Sequence, residues 1–185
     1  MDTISGYDTA HARQASDRRR HASLYTPEQR RRRDSTKWTL VQGILAPAQF
    51  AVFLVSLALV LRFLATGEGY QAATWSIVAK TLILYLIMVT GSLWEHAVFG
   101  KYLFADAFFW EDVVSFLVLA LHTLYLAALL TGSADARSLM LIALAAYASY
   151  VVNAAQFVLK LRAARRDAER HGGAERTSEH LEVEP

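Results

Sequence analysis

The chain has 185 residues, 54% of them hydrophobic and 19% charged, with a formal net charge of +2. The charges crowd into the first 37 residues and the last 26, whereas a soluble globule of one-domain length interleaves charged and apolar residues throughout, so that class is excluded. With no cysteine, disulfides, thiolate nucleophiles, Cys-bound zinc, iron–sulfur clusters and c-type haem attachment are excluded as well.

In chain order, residues 1–23 are polar and without periodicity, the pattern of a disordered tail. Thr26-Pro27-Glu28-Gln29 is a capping box with proline at the first helical position, so a short surface helix carrying Arg30–Arg33 is expected. An arginine run immediately before an apolar span is a topogenic signal and an anionic-lipid contact rather than a nucleic-acid site. A helix needs about 20 apolar residues to cross the hydrocarbon, and four segments qualify, at about 39–64, 74–98, 109–132 and 137–160. The first is too long, and lacks the small-residue site, for a cleaved signal peptide. The second is the weakest, because Lys80 and Glu95 bracket its uncharged centre. Asp106 and Asp135 are expected to cap the third and fourth helices. Residues 163–185 form a charged tail, helical only in its first part, and no internal repeat is found. The predicted fold is all-α: a four-helix polytopic membrane domain over residues 24–162.

Orientation follows from arginine and lysine. Nine lie between Arg13 and Lys37, none in the loop Ala65–Trp75, and six between Lys160 and Arg176. The positive-inside bias therefore puts both termini in the cytoplasm. Trp38, Trp75, Trp94 and Trp110 fall at predicted helix ends, where indoles sit at headgroup level. Arg62 and Lys80, near the opposite ends, are expected to snorkel outward.

Ionisable or strongly polar residues at membrane depth are functional candidates by default. Gln42 and Gln49 share a face of the first span, Glu95-His96 closes the second, and Glu111, Ser115 and His122 run down one face of the third beside Asp112. Ser149, Asn153, Gln156 and Lys160 form a stripe on the fourth. Lipid offers such stripes no partner, so they should face each other around a polar pocket on the cytoplasmic side. Gln42, Gln49, Asn153 and Gln156 also suit plain interhelical hydrogen bonding, and Glu111 and Asp112 sit where a helix dipole favours anions. Glu95 is different. Near a helix C-terminus the dipole opposes its charge, so it needs a partner or a proton. No pair of histidines has chelating spacing, and neither a phosphate loop nor a nucleophile motif occurs.

Five strings carry a resemblance: YTPEQRRRRD (Tyr25–Asp34), WTLVQGILAPAQF (Trp38–Phe50), WEHAVFGKYLF (Trp94–Phe104), FFWEDVVSFLVLALHT (Phe108–Thr123) and NAAQFVLKLR (Asn153–Arg162). Together they resemble the 3-vinyl bacteriochlorophyllide hydratase family over the whole membrane domain. The resemblance implies a hydro-lyase of the bacterial inner (cytoplasmic or intracytoplasmic) membrane, acting in bacteriochlorophyll synthesis. It would add water across the C3 vinyl group of chlorophyllide or bacteriochlorophyllide to give a 1-hydroxyethyl substituent. No cofactor is implied, since the magnesium belongs to the substrate.

Vinyl hydration calls for a general acid, a placed water and a pocket for a flat apolar disc. Glu95 is the first candidate for the acid, Glu111 the second, as water-positioning base or alternate acid, and His122 the third, with His96 or Asp112 orienting a carboxyl. Gln42, Gln49, Asn153 and Gln156 are expected to line the pocket. Phe104, Phe108, Phe109 and Trp110 would pack on the ring, and Lys101, Lys160 or Arg162 would hold its propionate. The partners expected are the pigment, the bilayer with its anionic lipids and other pigment-synthesis enzymes; nucleic acid is not among them. A reading from another class is a non-catalytic pigment-binding or photosystem-assembly protein, with His122 as axial ligand to magnesium. A small transporter fits less well, because the polar stripes fade toward the outer side.

Overall fold

The computed structural model describes residues 24–182, with side chains as far as residue 166; the polar tail at 1–23 lies outside the described residues. Helix α1 spans Pro27–Ser35, α2 Lys37–Thr66, α3 Tyr70–Phe99, α4 Phe109–Thr131 and α5 Ala136–Glu182. Among the described residues there is no strand. Four helical segments are long and apolar enough to cross a membrane: Lys37–Thr66, Tyr70–Phe99, Phe109–Thr131 and Ala136–Arg166. The fold is thus an all-α bundle of four membrane-length helices.

Local chemistry sets the helix ends. Pro27 opens α1, as its fixed backbone favours. The Thr36 hydroxyl accepts the Trp38 N–H at the start of α2. Gly100 closes α3 at φ 77°, its N–H donating to the His96 carbonyl, a left-handed cap that costs glycine nothing. At the start of α5, Asp135 accepts the Ser138 N–H at 3.1 Å, the capping role expected of it. Asp106 does not cap α4. The cap position is Phe108, without a side-chain bond, and Asp106 is exposed and paired with Lys101 at 3.4 Å. The chain needs the intervening residues to turn back over the start of α4.

Neighbouring helices run antiparallel. Gln42 meets Thr90 and Ser56 meets Ser76 between α2 and α3; Lys80 meets His122 and Glu95 neighbours Asp112 between α3 and α4. Asn153 meets Ser115, and Tyr147 packs near His122, between α4 and α5. Phe53 lies against Tyr150 and Ser56 bonds Tyr147, which brings α2 and α5 together. The apolar core gathers Phe53, Val60, Ile77, Leu84, Val118, Tyr125, Met140 and Ala143. Large apolar residues such as Leu40, Ile44, Val55, Leu82, Val89, Leu124, Leu130 and Val152 stay exposed on the outer surface, the arrangement expected where lipid replaces water.

Two compact units are distinguished among the described residues: Pro27–Val158, and a second that takes in residues 24–26 and 159–182. In the second, α5 continues as a helix to Glu182. The C-terminal tail is therefore helical well past the short stretch expected. Its run AARRDAER is rich in strong helix formers.

Candidate active site

At the end of the bundle where α2 and α4 begin and α3 finishes, the chain between Gly100 and Phe108 folds back over the start of α4. Ala105 and Phe108 are buried there. Phe108 packs between Trp94, Phe99 and Phe157 at ring separations of 5.6, 5.9 and 5.9 Å. Phe104 adopts φ 57°, a left-handed conformation that costs a non-glycine residue about 1–2 kcal/mol. The turn aims its backbone N–H at Asp112 Oδ2, 2.7 Å away.

Asp112 is only 8% exposed, and Glu95, arriving from the last turn but one of α3, is 5% exposed. The Asp112 carboxyl is the acidic neighbour of Glu95, with the Ala105 backbone close by. Both Glu95 oxygens are buried without a hydrogen-bond partner. Two carboxyls this close and this buried favour holding one proton between them over ionising together. The Phe104 amide bonds to Asp112, a contact that favours a carboxylate on that side.

The other candidates divide. Glu111 is buried in the first turn of α4 beside Asp112. One turn deeper, Ser115 accepts from Asn153 Nδ2 at 2.9 Å. Asn153 Oδ1, Gln156 Oε1 and both amide atoms of Gln49 are buried without hydrogen-bond partners. Gln42, by contrast, is a tie between helices, donating to Thr90 at 2.8 Å, while Trp94 Nε1 donates to Thr39 at 3.0 Å.

His96 does not orient either carboxyl. It is exposed and stacked on Tyr102, with ring centroids 4.1 Å apart, because one residue along a helix turns the side chain about 100° away. Trp110 is 69% exposed with its ring edge-on to Phe109, and Lys101 is taken up by Asp106 on the surface. Lys160 and Arg162 belong to the other compact unit. Of the aromatic residues expected against a flat ligand, Phe108 is instead part of the protein's own packing.

Two further expectations are corrected at mid-bundle. Arg62 is exposed in the last turn of α2 beside Glu68, as snorkelling requires, but Lys80 is completely buried. Its helix begins at Tyr70 rather than near residue 74, which puts Lys80 about 15 Å along the helical rise and out of reach of either surface. Its Nζ lies 2.9 Å from His122 Nε2 and above the rings of Tyr150, Tyr147 and Phe53 at 4.2, 5.1 and 5.9 Å. His122 Nδ1 donates to the Val118 carbonyl at 2.8 Å, so Nε2 is the acceptor for Lys80. Both ring nitrogens of His122 are engaged, and neither is free to ligate a magnesium ion. The sequence reading had no signal for Phe104 and misplaced Lys80; the Gly67-Glu68-Gly69 turn was the clue to the earlier start of α3.

The sequence model of the 2-vinyl bacteriochlorophyllide hydratase family matches residues 25–163; positions 2 and 3 denote the same vinyl substituent in the older and the systematic macrocycle numbering. A 2-vinyl bacteriochlorophyllide hydratase from Cereibacter sphaeroides is 68% identical over 149 residues, covering 80% of this chain and 92% of the relative. One from Rhodobacter capsulatus is 68% identical over 146 residues, covering 79% and 85%. No solved structure matches.

Proposed function

The chain belongs to the 2-vinyl bacteriochlorophyllide hydratase family, and we propose that Glu95 and Asp112 are the acid–base pair of its reaction. The activity is that of a hydro-lyase in bacteriochlorophyll biosynthesis, hydrating the vinyl group of a bacteriochlorophyllide. The observation that carries the assignment is a buried carboxyl–carboxyl contact between two helices, with one member fixed by the Phe104 amide.

The chemistry follows from the pair. Glu95 gives its proton to the terminal vinyl carbon, and the positive charge that develops on the inner carbon is delocalised into the macrocycle. A water oxygen bonds to that inner carbon, and the proton it sheds returns to the carboxyl pair. One water is added, the pair ends as it began, and no oxidant or reductant is needed. Asp112 holds Glu95 in place and supplies the negative charge that offsets the cation before water arrives. Glu111, one residue away and also buried, is the candidate to position the water.

Both termini are inferred to be cytoplasmic, on the strength of the arginine and lysine distribution. That orientation puts the carboxyl pair toward the cytoplasmic surface and Arg30–Arg33 against anionic headgroups.

The test is turnover in membranes of a pigment-free host supplied with chlorophyllide a, followed by mass and absorbance. Wild type should add one water, and Glu95→Gln should lose about 10²–10⁴-fold, the range for a missing general acid. Full turnover in both Glu95→Gln and Asp112→Asn would sink the carboxyl mechanism.

A further inference from the structure

Lys80 is a fully buried basic side chain that the hydration chemistry does not use. Among the described residues no carboxylate pairs with it. One of its three N–H bonds goes to His122 Nε2, which leaves two directed among aromatic rings. An ammonium at mid-membrane without an anion is costly to maintain, and an aromatic cage compensates it only in part.

Its position relative to Glu95 is informative. The two lie fifteen residues apart on α3, about 22 Å of helical rise and within about 60° of the same face. Between their levels sit the unpartnered amide atoms of Gln49 and Asn153. Phe53 opposite Tyr150 and Ser56 opposite Tyr147 set the register of α2 against α5; one turn farther along, that register brings Gln49 level with Asn153. Gln49 has neither end of its amide bonded, and Asn153 Oδ1 is equally open. A bundle built only to pack would use such groups on each other. The unpaired amides of Gln49 and Asn153 thus lie along the bundle between mid-depth Lys80 and Glu95 at its end.

We infer that Lys80 is the receptor for the single carboxylate of the substrate, with the vinyl group at Glu95 and the propionate at the opposite end of the strip. This rests on the hydratase reading of the site, but not on Glu95 being the acid. The ammonium keeps its bond to His122 and adds the carboxylate through the two remaining N–H groups. Lys101, the surface alternative, is already paired with Asp106. The consequence is selectivity: the free acid is accepted, and a pigment esterified at the same propionate is rejected, because the ester brings no charge to offset the buried cation.

The experiment is an absorbance titration of the purified full-length protein in nanodiscs with chlorophyllide a and with its propionate methyl ester. Wild type should bind the acid about 100-fold more tightly, the size expected for a desolvated charge pair. Lys80→Gln, which still reaches His122 with a hydrogen bond, should bind the two pigments within about threefold, and Lys80→Arg should restore most of the preference. Equal binding of acid and ester by wild type overturns the proposal, and so does a folded Lys80→Gln protein that keeps the preference. Glu95→Gln should retain the preference while losing turnover. If it keeps turnover, the acid assignment fails while the Lys80 reading stands on its own titration.

Discussion

The bundle buries two pairs of ionisable groups, and they are built on opposite principles. At one end Glu95 and Asp112 are both acids, held together by a backbone amide from a strained turn. At mid-depth Lys80 and His122 are both bases, held among tyrosine and phenylalanine rings. Like groups repel when both are charged, so each pair has to manage a proton, but only the acid pair sits beside an irregular segment of backbone. The base pair is locked inside regular helix, where a change of charge has to be met by something brought in. The lesson is that burial of a charge does not by itself mark chemistry; the backbone around it decides.

The largest expected effect separates the two ends by what they damage. Asp112→Asn should lower turnover by about 10²-fold or more, because it removes the charge that steadies Glu95 and the developing cation. It should leave the melting temperature close to wild type, since asparagine still accepts the Phe104 amide. The double variant with Glu95→Gln should be hardly slower than the worse single one, because groups that act as a unit are not additive. Additive losses would break the pair into two independent residues. Turnover by the hydration assay and thermal melts of the same preparations decide it.

How much of this was legible in the sequence differs between the ends for physical reasons. Four spans, and Glu95 as the residue at odds with its helix dipole, follow from hydropathy and position. Asp112 was readable only as a favourable first-turn anion, since nothing in one chain tells that α3 ends against it. Lys80 was misread because its depth depends on where α3 starts, and a shift of one turn moves it from a reachable surface to mid-membrane. Phe104 was readable only as an aromatic for the ring, and its backbone conformation left no trace. A left-handed backbone is foreshadowed by glycine or asparagine, and here it is imposed by the contacts of a buried turn.

That turn supplies the next test. Phe104→Pro removes the N–H donor and forbids the observed φ, so turnover should fall about tenfold to a hundredfold as Asp112 loses its charge-assisted bond, commonly worth about 1.5–3 kcal/mol. Phe104→Gly keeps the donor, suits φ 57°, and should stay within about threefold of wild type. If both variants behave alike, the amide does not position the pair, and the aromatic ring was the part that mattered. At mid-bundle the matching change is Ser56→Ala. Ser56 bonds both Tyr147 and Ser76, so the variant should lose about 1–2 kcal/mol of stability with turnover per folded protein unchanged. A catalytic loss without a stability loss would reverse the division of labour between the two regions.

The smallest effect belongs to a carboxylate in neither pair. Asp135 is exposed at the start of α5, where hydrogen bonds from Ser138, side chain first and then backbone, lower its pKa below the usual aspartate range. A pKa depressed by folding means that the stabilising contact is complete above the unfolded-state value and is lost as pH falls through the folded one. Relative to their intrinsic exchange rates, the first-turn amides of α5 should therefore be protected at neutral pH and lose that protection only below about pH 4, the ordinary aspartate range. Asp135→Asn should flatten that dependence without unwinding the helix, because asparagine caps as well as aspartate. Hydrogen exchange at Ser138 and Leu139 isolates the effect. A pH response that survives in Asp135→Asn would have to come from another group, and the assignment of the effect to this cap would fail.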